Sequence, residues 1–129
     1  MHLIDTNIAI HLRDGKPNVL QRFVEHDGPV AMSALTLAEL ERGNYKQPEL
    51  AAQRVPRLAA ILRTVPVVSF DALAAHTYGR IIAQCGWVKG RDFDRMIAAQ
   101  AMSLRATLVS DNVADFSDIP GLDIANWNG

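Results

Sequence analysis

The chain predicts an α/β fold, a three-layer sandwich in which a central, mainly parallel sheet of about five strands is covered by helices on both faces. Two patterns carry that expectation. Short apolar runs of strand length alternate with longer stretches whose apolar residues recur at helical spacing, and such alternation builds parallel sheets because each crossover lays a helix on a sheet face. The 129 residues, 49% of them apolar, suit one core, so residues 1–129 are expected to form a single domain.

Residues 2–4 open the chain as a short buried strand. Asp5-Thr6-Asn7 then lead into an apolar segment of helical character, so Asp5 falls where a strand ends and a helix begins. Residues 17–26 form a helix carrying Val19, Leu20, Phe23 and Val24, and residues 29–34 form the second strand. A short helix over 36–42 is closed by Gly43, and residues 48–63 place Leu50, Val55, Leu58, Ile61 and Leu62 at helical spacing, with Pro56 marking a kink or a break. The third strand spans 65–70. A helix over 71–84 starts at the N-cap Asp71 and stops near Gly86, and another over 92–104 carries Phe93, Ile97, Ala101 and Leu104 on one face. Residues 106–110 and 122–125 supply the fourth and fifth strands.

Composition excludes several classes. The formal charge of −1 is not that of a uniformly basic nucleic-acid binder, although bound cations and local patches reverse the sign of a site. Charge is unevenly placed: no Lys or Arg follows Arg105, while Asp111, Asp115, Asp118 and Asp123 lie in that tail. A single cysteine, Cys85, forbids an internal disulfide and a cysteine-rich metal site, which fits a reducing cytoplasm. No secretory leader and no apolar run of about 18 residues is present, so a soluble cytoplasmic protein without membrane contact is expected. His2, His11, His26 and His76 share no spacing suited to a metal or a triad, and there is no Gly-rich phosphate loop.

Acidic residues recur at strand ends and helix starts: Asp5, Glu39, Asp94, and Asp111 or Asp115. Each has a bland role. Asp5 suits a helix cap, Thr36-Leu37-Ala38-Glu39 fits a capping box, Asp92 or Asp94 suits a cap, and Asp111, Asn112 and Asp115 suit a turn. Together they mean more, because carboxylates gathered at one sheet edge repel unless a cation neutralises them. Oxygen donors without His or Cys favour Mg²⁺ or Mn²⁺ over zinc.

Five segments in order, Leu3-Ile4-Asp5-Thr6-Asn7, Ser33 to Leu40 with Gly43, Asp94 to Ala101, Thr107 to Phe116, and Ile119-Pro120-Gly121-Leu122 with Trp127, resemble the PIN-domain toxins of the VapC type. The resemblance spans the chain. It implies a PIN-like α/β/α sandwich and a Mg²⁺- or Mn²⁺-dependent endoribonuclease held inert by a VapB-type antitoxin. The family's acidic positions fall on Asp5, Glu39 and Asp94, with the fourth at Asp115 and with Asn112 and Asp111 as supporting candidates. These four acids are the implied catalytic and metal-binding set. Thr6, Asn7 and Ser110 are implied to orient carboxylates and water.

On that reading the products carry a 5′-phosphate and a 3′-hydroxyl, and Arg42, Lys89, Arg91 and Arg95 are candidates for holding the RNA backbone. A structured RNA such as tRNA is the expected substrate. The apolar content of 50–82 is compatible with a homodimer face, and an antitoxin is expected to lay an apolar segment in a groove and send a cation toward the acids. The competing readings are a catalytically weak module that binds RNA or antitoxin without cleavage, favoured by Asn112, and a phosphatase with an aspartyl nucleophile. The latter needs a second carboxylate two residues after Asp5, where Asn7 stands.

Overall fold

The computed structural model describes residues 1–129. At its centre lies β1 (His2–Ile4), with β2 (Val30–Ser33) on one side and β4 (Thr107–Val109) on the other. β3 (Val67–Val68) and β5 (Ile124–Ala125) complete a five-stranded sheet in the order β3-β2-β1-β4-β5, parallel throughout. Ile4 is level with Met32 and with Val109. The next residues in register, Asp5, Ser33 and Ser110, therefore meet at one edge of the sheet.

Six helices cover it: α1 (Thr6–Arg13), α2 (Pro17–Glu25), α3 (Ala34–Lys46), α4 (Ala51–Leu62), α5 (Ala72–Cys85) and α6 (Asp92–Ser103). Successive strand side chains point to opposite faces, so Leu3 and Ile4, both fully buried, feed different cores. Ile4 packs with Ile8, Val19, Met32, Leu58 and Trp127 among the first four helices. Leu3 packs with Ala31, Ile81, Ile97, Leu108 and Phe116 under α5 and α6. This is the three-layer α/β/α arrangement that the alternation predicted. No helix is long and apolar enough to cross a membrane.

Several details differ from the sequence reading. The helix expected over 36–42 begins at Ala34 and runs through Gly43 to Lys46. It starts early because Ser33 is the cap, its hydroxyl accepting from the Leu35 N–H at 3.0 Å, and it continues because the Gly43 carbonyl accepts from Arg54 Nη1 at 2.7 Å. Pro56 does not end α4; the break falls earlier, where a 3₁₀ turn over Pro48–Leu50 gives way to Ala51.

On α6 the buried face is not the expected stripe, since Phe93 and Leu104 are exposed while Ile97, Ala98, Ala101 and Gln100 are buried. Packing against both α5 and the sheet selects small residues, and Gln100 Nε2 donates to the carbonyls of Val68 and Ser69 at 3.1 and 3.0 Å. The outer strands are also shorter than read, β3 keeping only Val67–Val68 of 65–70.

Ile4→Ala leaves a void between β1 and α1 and is expected to cost about 2–5 kcal/mol. Urea denaturation would show it as a lower midpoint at unchanged slope. A loss below about 1 kcal/mol would contradict the placement of β1 at the centre of the core.

Candidate active site

Asp5 occupies the junction that the sequence marked, and the capping and site roles coincide in it. Its backbone N–H donates to the Val109 carbonyl at 2.9 Å, its Oδ1 accepts from the Ile8 N–H at 2.9 Å as the cap of α1, and the residue is 5% exposed. Burial raises its pKa to about 6, against the Ser110 hydroxyl and the Ile8 N–H, which lower it; the charges of Asp111 and Asp94 push it further up. Ser110 is itself fully buried, with its Oγ accepting from the Asn112 N–H at 3.0 Å.

Glu39 is no capping-box residue, because α3 starts before Thr36. Its Oε1 accepts instead from the Thr6 hydroxyl at 2.6 Å. The Thr6 hydroxyl has one proton, and that proton goes to Glu39, so the Thr36 hydroxyl at 3.2 Å is the donor in the second contact. Two threonines from different elements thus orient one carboxylate.

Asp94 lies with Asp92 in the first turn of α6, where the cap Arg91 makes no side-chain bond to the helix. A carboxylate there is favoured by the helix N-terminus. Burial nevertheless raises its pKa, and Glu39 and Asp115 raise it further, while Arg91 and Arg95 oppose them. Asp5, Thr6, Glu39 and Asp94 line one cleft of about 370 Å³, with Asn7 exposed at its lip.

The fourth acid is divided between two residues outside that lining. Asp115, on a 3₁₀ turn over Val113–Phe116, is bonded by the Asn112 side-chain amide and stands 3.5 Å from Arg91 Nη2. Asp111 Oδ2 lies 2.8 Å from His11 Nε2 and accepts from Asn128 Nδ2 at 3.3 Å. Asp115 acts electrostatically on Asp94, and Asp111 on Asp5.

Among the cations, Arg42 is 65% exposed and 3.7 Å from Glu39 Oε2, and it lines the cleft. Lys89 is exposed and Arg91 partly so. Arg95 must be withdrawn as a backbone contact: it is buried, and its Nη2 donates to Asp118 Oδ2 at 2.9 Å, tying α6 to the loop after β4.

Three neighbours escaped the sequence reading. Lys46 lines the cleft with Arg42 and Gly43, and the spacing of Glu39, Arg42, Gly43 and Lys46 along one helical face was the signal for it. Thr36 and His11 carried no such signal, since their partners Thr6 and Asp111 are distant in sequence.

The donor set is all hard oxygen, and a bound divalent cation offsets what raises Asp5 and Asp94, burial first and mutual repulsion second. Nowhere are three or more acids or histidines gathered tightly enough to cage an ion.

The chain matches the PIN domain model over residues 2–122. It is 29% identical to Ribonuclease VapC2 of Rickettsia felis over 134 residues, covering 99% of this chain and 98% of that protein. It is 32% identical to the tRNA(fMet)-specific endonuclease VapC of Shigella flexneri over 130 residues, covering 98% and 97%. Its structure superposes on that of VapBC2 from Rickettsia felis bound to a promoter DNA fragment with a TM-score of 0.86, at 28% identity and 98% coverage of each chain. DNA-bound VapBC from Salmonella typhimurium gives 0.85, at 29% identity and coverage of 98% and 97%.

A carboxyl held at a pKa of about 6 in the fold and about 3.9 when unfolded binds more protons in the native state, so stability falls as pH rises between these values. In chelator, wild type is expected to lose about 2–3 kcal/mol relative to Asp5→Asn between pH 4 and pH 7, with the gap level above that. Thermal melting at stepped pH reads the gap. Parallel pH profiles for the two proteins would show that Asp5 is not strained by ionisation.

Proposed function

The chain belongs to the PIN-domain family, and on that footing we propose that it is the ribonuclease toxin of a VapBC-type pair, a Mg²⁺- or Mn²⁺-dependent endoribonuclease. The observation that carries this reading is the meeting of Asp5, Glu39 and Asp94, from β1, α3 and α6, in one cleft at the sheet edge where parallel α/β folds bind ligands. When bound, a divalent cation supplies acidity to water at neutral pH and positive charge against the scissile phosphate. Asp5 and Asp94 are the residues to hold it, with Asp115 as the fourth acid and Asp111 and Asn112 beside it.

Each remaining side chain has a share in the reaction. The Thr6 hydroxyl holds Glu39 with one oxygen toward its own proton, leaving the other to receive a proton from water or to approach the cation. Arg42 and Lys46 meet the phosphodiester backbone at the mouth of the cleft, Lys89 and Arg91 extend that grip, and Arg42 also limits the repulsion between Glu39 and the RNA. Attack by water rather than by the 2′-hydroxyl leaves a 5′-phosphate and a 3′-hydroxyl. The substrate is a structured RNA of the tRNA class, cut in an unpaired loop in the cytoplasm.

The partner is a VapB-type antitoxin. A groove of about 240 Å³ between α1, α2 and α4, lined by Leu12, Leu20, Phe23 and Ile61 with Arg57 at its side, suits an apolar segment. The exposed Val55, Leu62, Val67 and Leu73 support a homodimer face within 50–82. The second reading, a module that binds RNA without cutting it, draws on the engagement of Asp115 by Asn112 and Arg91.

Cleavage of total RNA or tRNA in Mg²⁺ or Mn²⁺ separates the two. Asp5→Asn and Asp94→Asn are expected to lose about 100-fold or more, and Asp115→Asn about 10-fold. Equal, metal-independent activity in all of them would sink the nuclease reading, and binding without cleavage by the wild type would favour the second.

A further inference from the structure

Trp87 is 61% exposed on the loop over 86–91 that joins α5 to α6. Gly86 and Gly90, with φ of 80° and 85°, turn the loop on either side of it. The ring is not loose. Its Nε1–H donates to Asp92 Oδ1 at 2.9 Å, and the Tyr78 hydroxyl donates to the same oxygen at 2.7 Å. One carboxylate in the first turn of α6 therefore fixes the edge of the indole while the side chain stays largely in water.

The surroundings have a sign. Exposed Lys89 follows two residues later, and Arg91, at the end of the loop, stands 3.5 Å from Asp115. Asp94 lies in the same helical turn as Asp92. The cleft's carboxylates repel a polyanion, so affinity for RNA has to come from Arg42 and Lys46 at its mouth and from groups beside it. A fixed aromatic ring next to two cations is what an unpaired base and its backbone require, because every base has a face to stack and a phosphate to pair.

We propose that Trp87 is a stacking platform for an unpaired base of the RNA substrate, with Lys89 and Arg91 holding the backbone that leads from that base into the cleft. This rests on the nuclease reading and adds to it the residue that engages the unpaired loop: Trp87 takes up a base free to leave its neighbours. Fixing the ring by Asp92 lowers the ordering cost of stacking, and the indole tolerates any base, so the platform positions the strand without selecting a sequence.

The test compares wild type, Trp87→Ala and Trp87→Phe in cleavage and binding of a short single-stranded oligoribonucleotide and of its abasic counterpart. Trp87→Ala is expected to raise KM about 10-fold with kcat little changed, and Trp87→Phe to retain most of the affinity. In wild type, the oligoribonucleotide is expected to quench the exposed Trp87 fluorescence, while Trp127, 4% exposed, keeps its own. The abasic strand should bind wild type and Trp87→Ala alike, and Lys89→Ala should lower the salt slope by about 1 where Trp87→Ala leaves it unchanged.

A wild type that cleaves RNA with a KM indifferent to Trp87 overturns the platform alone, as does a Trp87→Ala protein altered only in self-association or protein-partner binding. A wild type that neither binds nor cleaves RNA overturns the platform together with the reading beneath it.

Discussion

The molecule is organised around a collection of like charges that the fold has to tolerate. A parallel sheet sends the ends of β1, β2 and β4 to one edge, and the chain places Asp5 there, with Glu39 and Asp94 on the helices that meet it. Burial and mutual repulsion both disfavour the ionised acids, as the raised pKa values of Asp5 and Asp94 record. Donors are set against them one by one: the Ile8 N–H and Ser110 hydroxyl for Asp5, the Thr6 hydroxyl for Glu39, the Arg91 charge for Asp94 and Asp115. These contacts hold the carboxylates in place without neutralising them, which is the condition a cation-dependent site needs.

The same elements serve fold and chemistry. Asp5 begins α1 by capping it, so the helix that fills the core beneath Ile4 also aims the carboxylate. α3 carries Glu39 inward and Arg42 and Lys46 toward the mouth of the same cleft, which gives one helix both an anionic and a cationic part of the site. α6 starts among the acids and ends deep in the second core, anchored by Arg95 to Asp118 and by Gln100 to the end of β3.

Much of this was legible in the sequence because it is local. Strand–helix alternation gave the layers, and the step from an apolar run to Asp5 gave the site's address. What remained hidden depended on contacts between distant residues. Glu39 looked like a capping-box residue until Ser33 was found to cap the helix and Thr6 to hold the carboxylate. Arg95 looked like part of a basic cluster with Lys89 and Arg91, but it lies within α6 on the side that packing buries, which the sequence does not show. His11 meets Asp111 across most of the chain, and His2 and His26 pack their rings against Trp127, with Phe23 beside His26, which no spacing of histidines reveals.

The strand order has a consequence in time. β1 is made first but is flanked by β4, and its carboxylate meets Asp94 only after α6 exists. A growing chain can pair β1 with β2 early, yet the acidic cleft stays incomplete until synthesis has passed Val109 and the late strand has closed against the early one. Topology thus delays assembly of the acidic cleft until most of the polypeptide has been made.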